Sequence, residues 1–152
     1  MYRVILIPLE NSPADQAILD HIRPLAKLMT SRLVLVHVAD GFAARNQDQL
    51  NLEDSEEILD DRAYLEQRSG ELAKEGIEVS WRLARGNPAS EILTVAETEG
   101  CDLIAMSTHG HRMVKDLLLG SVANDVRHRT RIPVLMIRSP VKVSSGRVVN
   151  GS

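Results

Sequence analysis

Leu33-Val34-Leu35-Val36-His37-Val38 is apolar at five of six positions. A run this continuous and this rich in valine reads as a strand buried on both faces, the mark of a parallel sheet. Val4-Ile5-Leu6-Ile7, Leu103-Ile104-Ala105-Met106 and Val134-Leu135-Met136-Ile137 have the same character. Ile77 to Leu83 instead alternates, with Ile77, Val79, Trp81 and Leu83 set against Glu78, Ser80 and Arg82. One wet face is expected there, and with it an edge position.

Helix signals fill the intervals between these runs. Ser12-Pro13-Ala14-Asp15 opens a helix: Ser12 caps it, Pro13 takes its first position and Asp15 reaches back. Ala17, Ile18, Ile22, Leu25, Ala26 and Met29 follow at helical spacing, with Pro24 expected to kink the helix. The acidic run from Asp48 to Asp61 leads into a second helix ending near Lys74-Glu75-Gly76 and reads as a solvated face. Asn87-Pro88-Ala89-Ser90-Glu91 starts a third, stopped by Gly100, and a fourth is expected from Ser121 to about Arg129. Strands and helices therefore alternate as βαβαβαβαβ. One doubly wound α/β domain over residues 1–138 follows, with strand order 3-2-1-4-5, helices on both faces and a mobile tail over 139–152.

Composition sets bounds on function. At 152 residues with 43% apolar content, one domain can bury an adequate core. A net charge of −3 and 3% aromatics give neither the electrostatic pull nor the stacking platforms of a nucleic-acid binder. Cys101, the only cysteine, excludes a disulfide framework and suits a reducing cytosol. No secretion signal or membrane span is visible, so a cytoplasmic protein is expected.

In the 3-2-1-4-5 order the ends of strands one and four flank one crevice, where ligands of doubly wound sheets bind. Pro8-Leu9-Glu10 would face Met106-Ser107-Thr108-His109-Gly110 across it. Gly110 permits a positive φ and close approach of a ligand, and Gly120-Ser121-Val122, nine residues on, can open a helix whose free N–H groups attract phosphate. Ser121, His111 and Arg112 would add donors. Glu10 would accept from ribose hydroxyls and Val38 would wall the base.

These pieces resemble the universal stress protein family across Arg3 to Arg138. The matching segments are the first strand ending in Pro8, Leu35 to Val38, Gly86-Asn87-Pro88-Ala89, Ser107-Thr108-His109-Gly110 through Gly120-Ser121, and Ile132-Pro133-Val134-Leu135. The resemblance implies a Rossmann-like fold of the adenine nucleotide α-hydrolase type, ATP or AMP as ligand with Mg2+ held by the phosphates, and a role as stress-response regulator or sensor. It also implies a homodimer through the last strand, Val134 to Ile137, whose apolar edge would otherwise be exposed. The family's ATP-binding branch carries glycine where this chain has Ser107, and aspartate where it has Glu10.

Other chemistry is thinly represented. His109 and His111 flank Gly110 without a third ligand, so no metal site is expected. His37 reads as a hydrogen-bonded core histidine, while His21 and His128 are placed on helix surfaces. No nucleophile elbow or Walker lysine loop occurs. Efficient catalysis is not expected, and a weak ATPase is the most the motifs allow. The alternative is a nucleotide-independent dimeric interaction module of the same fold. The segment from Ala39 to Asp54 is long enough to form a lid over the crevice.

Overall fold

The computed structural model describes residues 1–40, 51–108 and 114–139. Strands β1 (Val4–Pro8), β2 (Arg32–Asp40), β3 (Val79–Gly86), β4 (Leu103–Thr108) and β5 (Val134–Arg138) form one parallel sheet in the order β3-β2-β1-β4-β5. Helices α1 (Ala14–Met29), α2 (Asn51–Lys74), α3 (Pro88–Thr98) and α4 (Val114–Arg129) alternate with them. The expected fold and strand order are both observed.

Burial on both faces explains the continuous apolar runs. Ile5, Ile7, Leu33, Leu35, Leu103 and Ala105 point into one layer, under Ile18, Leu19 and Ile22 of α1 and Leu65 and Leu72 of α2. Leu6, Val34, Val36, Ile104 and Met106 point the other way, against Ala89, Ile92 and Ala96 of α3 and Ala123 and Val126 of α4. Each of the valine, leucine, isoleucine and methionine side chains among them contributes about 1.5–3 kcal/mol by leaving water. Cys101 joins the second layer, and burial pushes its thiol up to about 11. No helix among the described residues is long and apolar enough to cross a membrane.

Several boundaries differ from the sequence reading. β3 starts and ends later than expected, although it holds the edge as anticipated. β2 extends through Asp40 and α2 begins at Asn51, so both ends of the expected lid are regular structure, and residues 41–50 lie outside the described residues. Ser139, assigned to the tail, is buried and donates its N–H to the Thr108 carbonyl at 2.7 Å. It belongs to the domain, and 140–152 lie outside the described residues. Helix α1 runs through Pro24, which is exposed and costs one backbone bond.

The helix ends follow local chemistry. Asn87 caps α3, its side chain accepting from the Ser90 N–H at 3.0 Å with Pro88 at the first helical position. Gly76 and Gly100 adopt positive φ beyond α2 and α3, whereas α1 ends on Thr30 at φ 54. A β-branched residue is strained there. Thr30→Gly is expected to raise the unfolding free energy by about 0.5–1 kcal/mol, because relief of roughly 1–2 kcal/mol of left-handed strain exceeds glycine's entropic cost. Urea denaturation checks this; a fall in stability would mean that Thr30 is held by a contact worth more than its strain.

Candidate functional site

The site begins where the central strand stops pairing. β1 pairs with β2 as far as Pro8↔Val36, but with β4 only at Ile5↔Leu103 and Leu6↔Ile104. Pro8 accounts for the asymmetry. The Leu9 N–H donates to the Val36 carbonyl on the β2 side, while the Val4 N–H faces Asp102 on the β4 side. Alternation along the strand therefore aims the Pro8 nitrogen at β4, and it carries no hydrogen to donate. The ladder to β4 ends there. At the opposite end the Asp102 carboxylate accepts from the Arg3 and Val4 N–H groups at 2.9 and 3.1 Å, so β1 and β4 are pinned at one end and unpaired at the other.

β2 and β3 stay paired through Asp40↔Gly86, four residues past the end of β1, and β4 and β5 through Thr108↔Arg138. A central strand that stops before its neighbours leaves a notch in the edge of the sheet, where the chain runs on from Pro8 through Leu9 and Glu10. Glu10, Val38 and Thr108 are half-buried around it. Thr108, the last residue of β4, belongs to the segment Met106 to Gly110 that the sequence sets across from Pro8 to Glu10.

The loop after β1 is built around one buried carboxylate. Asp15, 1% exposed in the first turn of α1, accepts from the backbone N–H groups of Glu10 at 3.0 Å, Asn11 at 2.9 Å and Ser12 at 3.4 Å, and from the Tyr64 hydroxyl at 2.6 Å. The expected backward reach of Asp15 is present but serves three amides rather than one. Burial raises the Asp15 carboxyl above its usual range, opposed by the hydrogen bonds from Tyr64, Glu10 and Ser12. Burial, together with the bond to Asp15, also pushes the Tyr64 phenol up. Arg68 lies over the Tyr64 ring at 5.3 Å.

Asn11 completes the turn in the left-handed region at φ 61, a conformation asparagine tolerates. Its amide donates to Asp61 at 3.0 Å and Asp60 at 3.3 Å. His37 Nδ1 lies 2.8 Å from the Leu9 carbonyl, and its Nε2 lies 3.2 Å from Asp61 Oδ2. The expectation of a hydrogen-bonded histidine holds. The second approach has the distance of an ion pair without hydrogen-bond alignment, since Asp61 Oδ2 has no hydrogen-bond partner. Asp61 itself corrects the reading of the acidic run as solvated: it is 5% exposed and lies in helical phase with Leu65 and Leu72.

The residues singled out from sequence fall into four groups. Pro8, Glu10 and Val38 are half-buried at the notch. Leu9, Met106 and Ser107 are core side chains that can offer a ligand only their main chain. The Ser107 hydroxyl donates to the Ala14 carbonyl at 3.3 Å, tying β4 to α1 rather than serving as a free donor. His109, Gly110, His111 and Arg112 lie outside the described residues. Gly120, Ser121 and Val122 are inside α4, which begins at Val114 rather than at Ser121. Lys115 and Leu117 to Leu119 are good helix formers, so the helix starts before the glycine, whose presence costs only about 1 kcal/mol.

The sequence profile described as the universal stress protein family matches residues 1–138. The chain belongs to the universal stress protein family. Universal stress protein MJ0577 of Methanocaldococcus jannaschii is 30% identical over 91% of this chain and 96% of its own, and its solved structure superposes with a TM-score of 0.80. The universal stress protein of Archaeoglobus fulgidus, solved in complex with dAMP, shares 24% identity over 90% of this chain and 98% of its own, with a TM-score of 0.67. A universal stress protein solved in complex with cAMP shares 19% identity, covers 90% of this chain and 97% of its own, and superposes with a TM-score of 0.64. In both nucleotide complexes the common element with this chain is the fold.

The Asp15 to Tyr64 bond carries a signed pH prediction. A raised folded value means that the stability linked to protonated Asp15 is complete below about 3.8, the ordinary carboxyl value, and is lost as pH rises through the folded one. Tyr64→Phe removes a donor to the anion and moves the folded value higher still. The variant is expected to lose about 1.5–3 kcal/mol at pH 7, with the deficit narrowing toward pH 4. Urea melts at several pH values measure it; a deficit independent of pH would mean that the bond does not sense the charge on Asp15.

Proposed function

We propose that this universal stress protein binds an adenine nucleotide, ATP or AMP, in the notch between β1 and β4, and acts as a stress-response regulator or sensor rather than an efficient enzyme. The observation that carries this reading is the early end of the β1 to β4 ladder, which leaves the half-buried Glu10 carboxylate at the switch point of a doubly wound sheet. Family members solved with dAMP and cAMP support the choice of ligand.

The residues present suit such a ligand. Glu10 would accept from the ribose, Val38 would wall the base, and the main chain at Pro8, Leu9, Met106 and Ser107 would line the cleft. His109, Gly110, His111, Arg112, Gly120, Ser121 and Val122 are proposed for the phosphates, with Mg2+ held by the phosphate oxygens. Since α4 begins at Val114, donors from Gly120 and Ser121 require the turns before them to open, so ligand binding and helix length would be linked. A homodimer through Val134–Ile137 is part of the reading, because β5 is an edge strand with Met136 36% exposed.

One observation favours a second reading. The commitment of the Ser107 hydroxyl to Ala14 suits an interaction module of the same fold that has lost its ligand. Extraction of the purified protein for retained nucleotide, with thermal shifts in ATP, ADP and AMP, separates the two. Binding to the folded state alone is expected to raise stability by about 2.7 kcal/mol at a hundredfold excess over Kd. Gly110→Val is expected to abolish that shift and leave the dimer intact in gel filtration. No retained nucleotide and no shift in excess ligand would favour the interaction module.

A further inference from the structure

Asp15, 1% exposed, is a buried ionisable group that the proposed function leaves unused. Its carboxylate takes hydrogen bonds from three consecutive amides, those of Glu10, Asn11 and Ser12, and a fourth from Tyr64 on α2. Capping an ordinary helix end needs one or two such donors. Here the converging amides belong to the loop that carries Glu10, and they fix its main chain against both α1 and α2. A second chain of hydrogen bonds fixes the side chain. The Ala14 N–H donates to Ser12 Oγ at 3.2 Å, and Ser12 Oγ donates to Glu10 Oε1 at 2.5 Å.

We propose that Asp15 is a positioning residue for the Glu10 carboxylate, and that the Ser12 hydroxyl restrains the longer glutamate side chain so that it meets ribose hydroxyls in a fixed geometry. This rests on the nucleotide reading of the notch. A glutamate has one more rotatable bond than an aspartate, and an unrestrained one would lose that freedom on binding. The bond from Ser12 removes part of this freedom before the ligand arrives. Asp15 supplies the fixed main chain from which the restraint acts, and Tyr64 holds Asp15.

The test has one arm without ligand and one with it. Amide hydrogen exchange at Glu10 and Asn11 is measured in the wild type and in Asp15→Asn, Ser12→Ala and Tyr64→Phe. Affinities for ATP, 2′-deoxy-ATP and 3′-deoxy-ATP follow on the same proteins. The wild type is expected to protect both amides and to prefer ATP over at least one deoxy analogue by roughly tenfold or more, the effect of one hydrogen bond to a charged group. Asp15→Asn is expected to lose the protection and to discriminate by less than about twofold. Ser12→Ala should keep the protection yet lose discrimination, a split that general destabilisation does not produce. Tyr64→Phe should fall between wild type and Asp15→Asn, and it serves if the latter fails to fold. Unchanged protection or unchanged discrimination in Asp15→Asn would overturn the proposal while leaving nucleotide binding in place. A wild type that binds ATP without discriminating would overturn it too, whereas a wild type that binds no nucleotide would remove the underlying reading.

Discussion

The missing hydrogen on the Pro8 nitrogen ends the β1 to β4 ladder at the C-terminal edge of the sheet. A residue with an N–H at that position could carry the ladder to β4 one step further. Proline ends pairing on the β4 side alone and leaves the β2 side intact, with Leu9 still bonded to Val36. The chain then turns out of the sheet between neighbours that continue, and the loop carrying Glu10, Asn11 and Ser12 settles into the gap. Because those amides no longer face a strand, they need other acceptors. Asp15 supplies them.

This arrangement exchanges backbone pairing for a polar cluster. Asp15, Tyr64, Arg68, Asn11, Asp61 and His37 come from α1, α2, β2 and the loop itself, and their bonds cross between elements rather than within them. A buried carboxylate is costly to desolvate, which is why the Asp15 carboxyl is raised even with several donors on it. The cluster is understandable as a device for holding one loop in one conformation, the requirement of a site that recognises a ligand by geometry.

Much of the fold was legible because its signals are local. Leu33 to Val38 and Leu103 to Met106 are apolar without interruption, since both faces of β2 and β4 are covered, and Asn87-Pro88 announces α3 in the chemistry of its first turn. Local signals failed where two of them competed. Gly120-Ser121 reads as a helix start, yet favourable helix formers precede it and α4 begins at Val114. The acidic run around Asp61 was dominated by its charge, although Asp61 shares the helical phase of Leu65 and Leu72. The role of Asp15 was half legible: its backward reach is a local pattern, but the Tyr64 hydroxyl that completes its shell comes from 49 residues away. No periodicity encodes that contact. The partner of the Ser107 hydroxyl is hidden for a similar reason, as Ala14 lies 93 residues distant.

The unpaired end of β1 and the hydrogen bonds gathered by Asp15 lie at one end of the sheet. The proposed site depends on the early end of the β1 to β4 ladder. The most direct measurement is a titration of the 15N-labelled protein with ATP, followed by backbone amide chemical shifts. The account predicts that the largest changes among the described residues fall on Leu9 to Ser12, Val38 and Thr108. The N-terminal ends of the strands around Asp102 should stay still. Changes spread evenly over the sheet, or concentrated at Asp102 and the N-terminal ends, would contradict it.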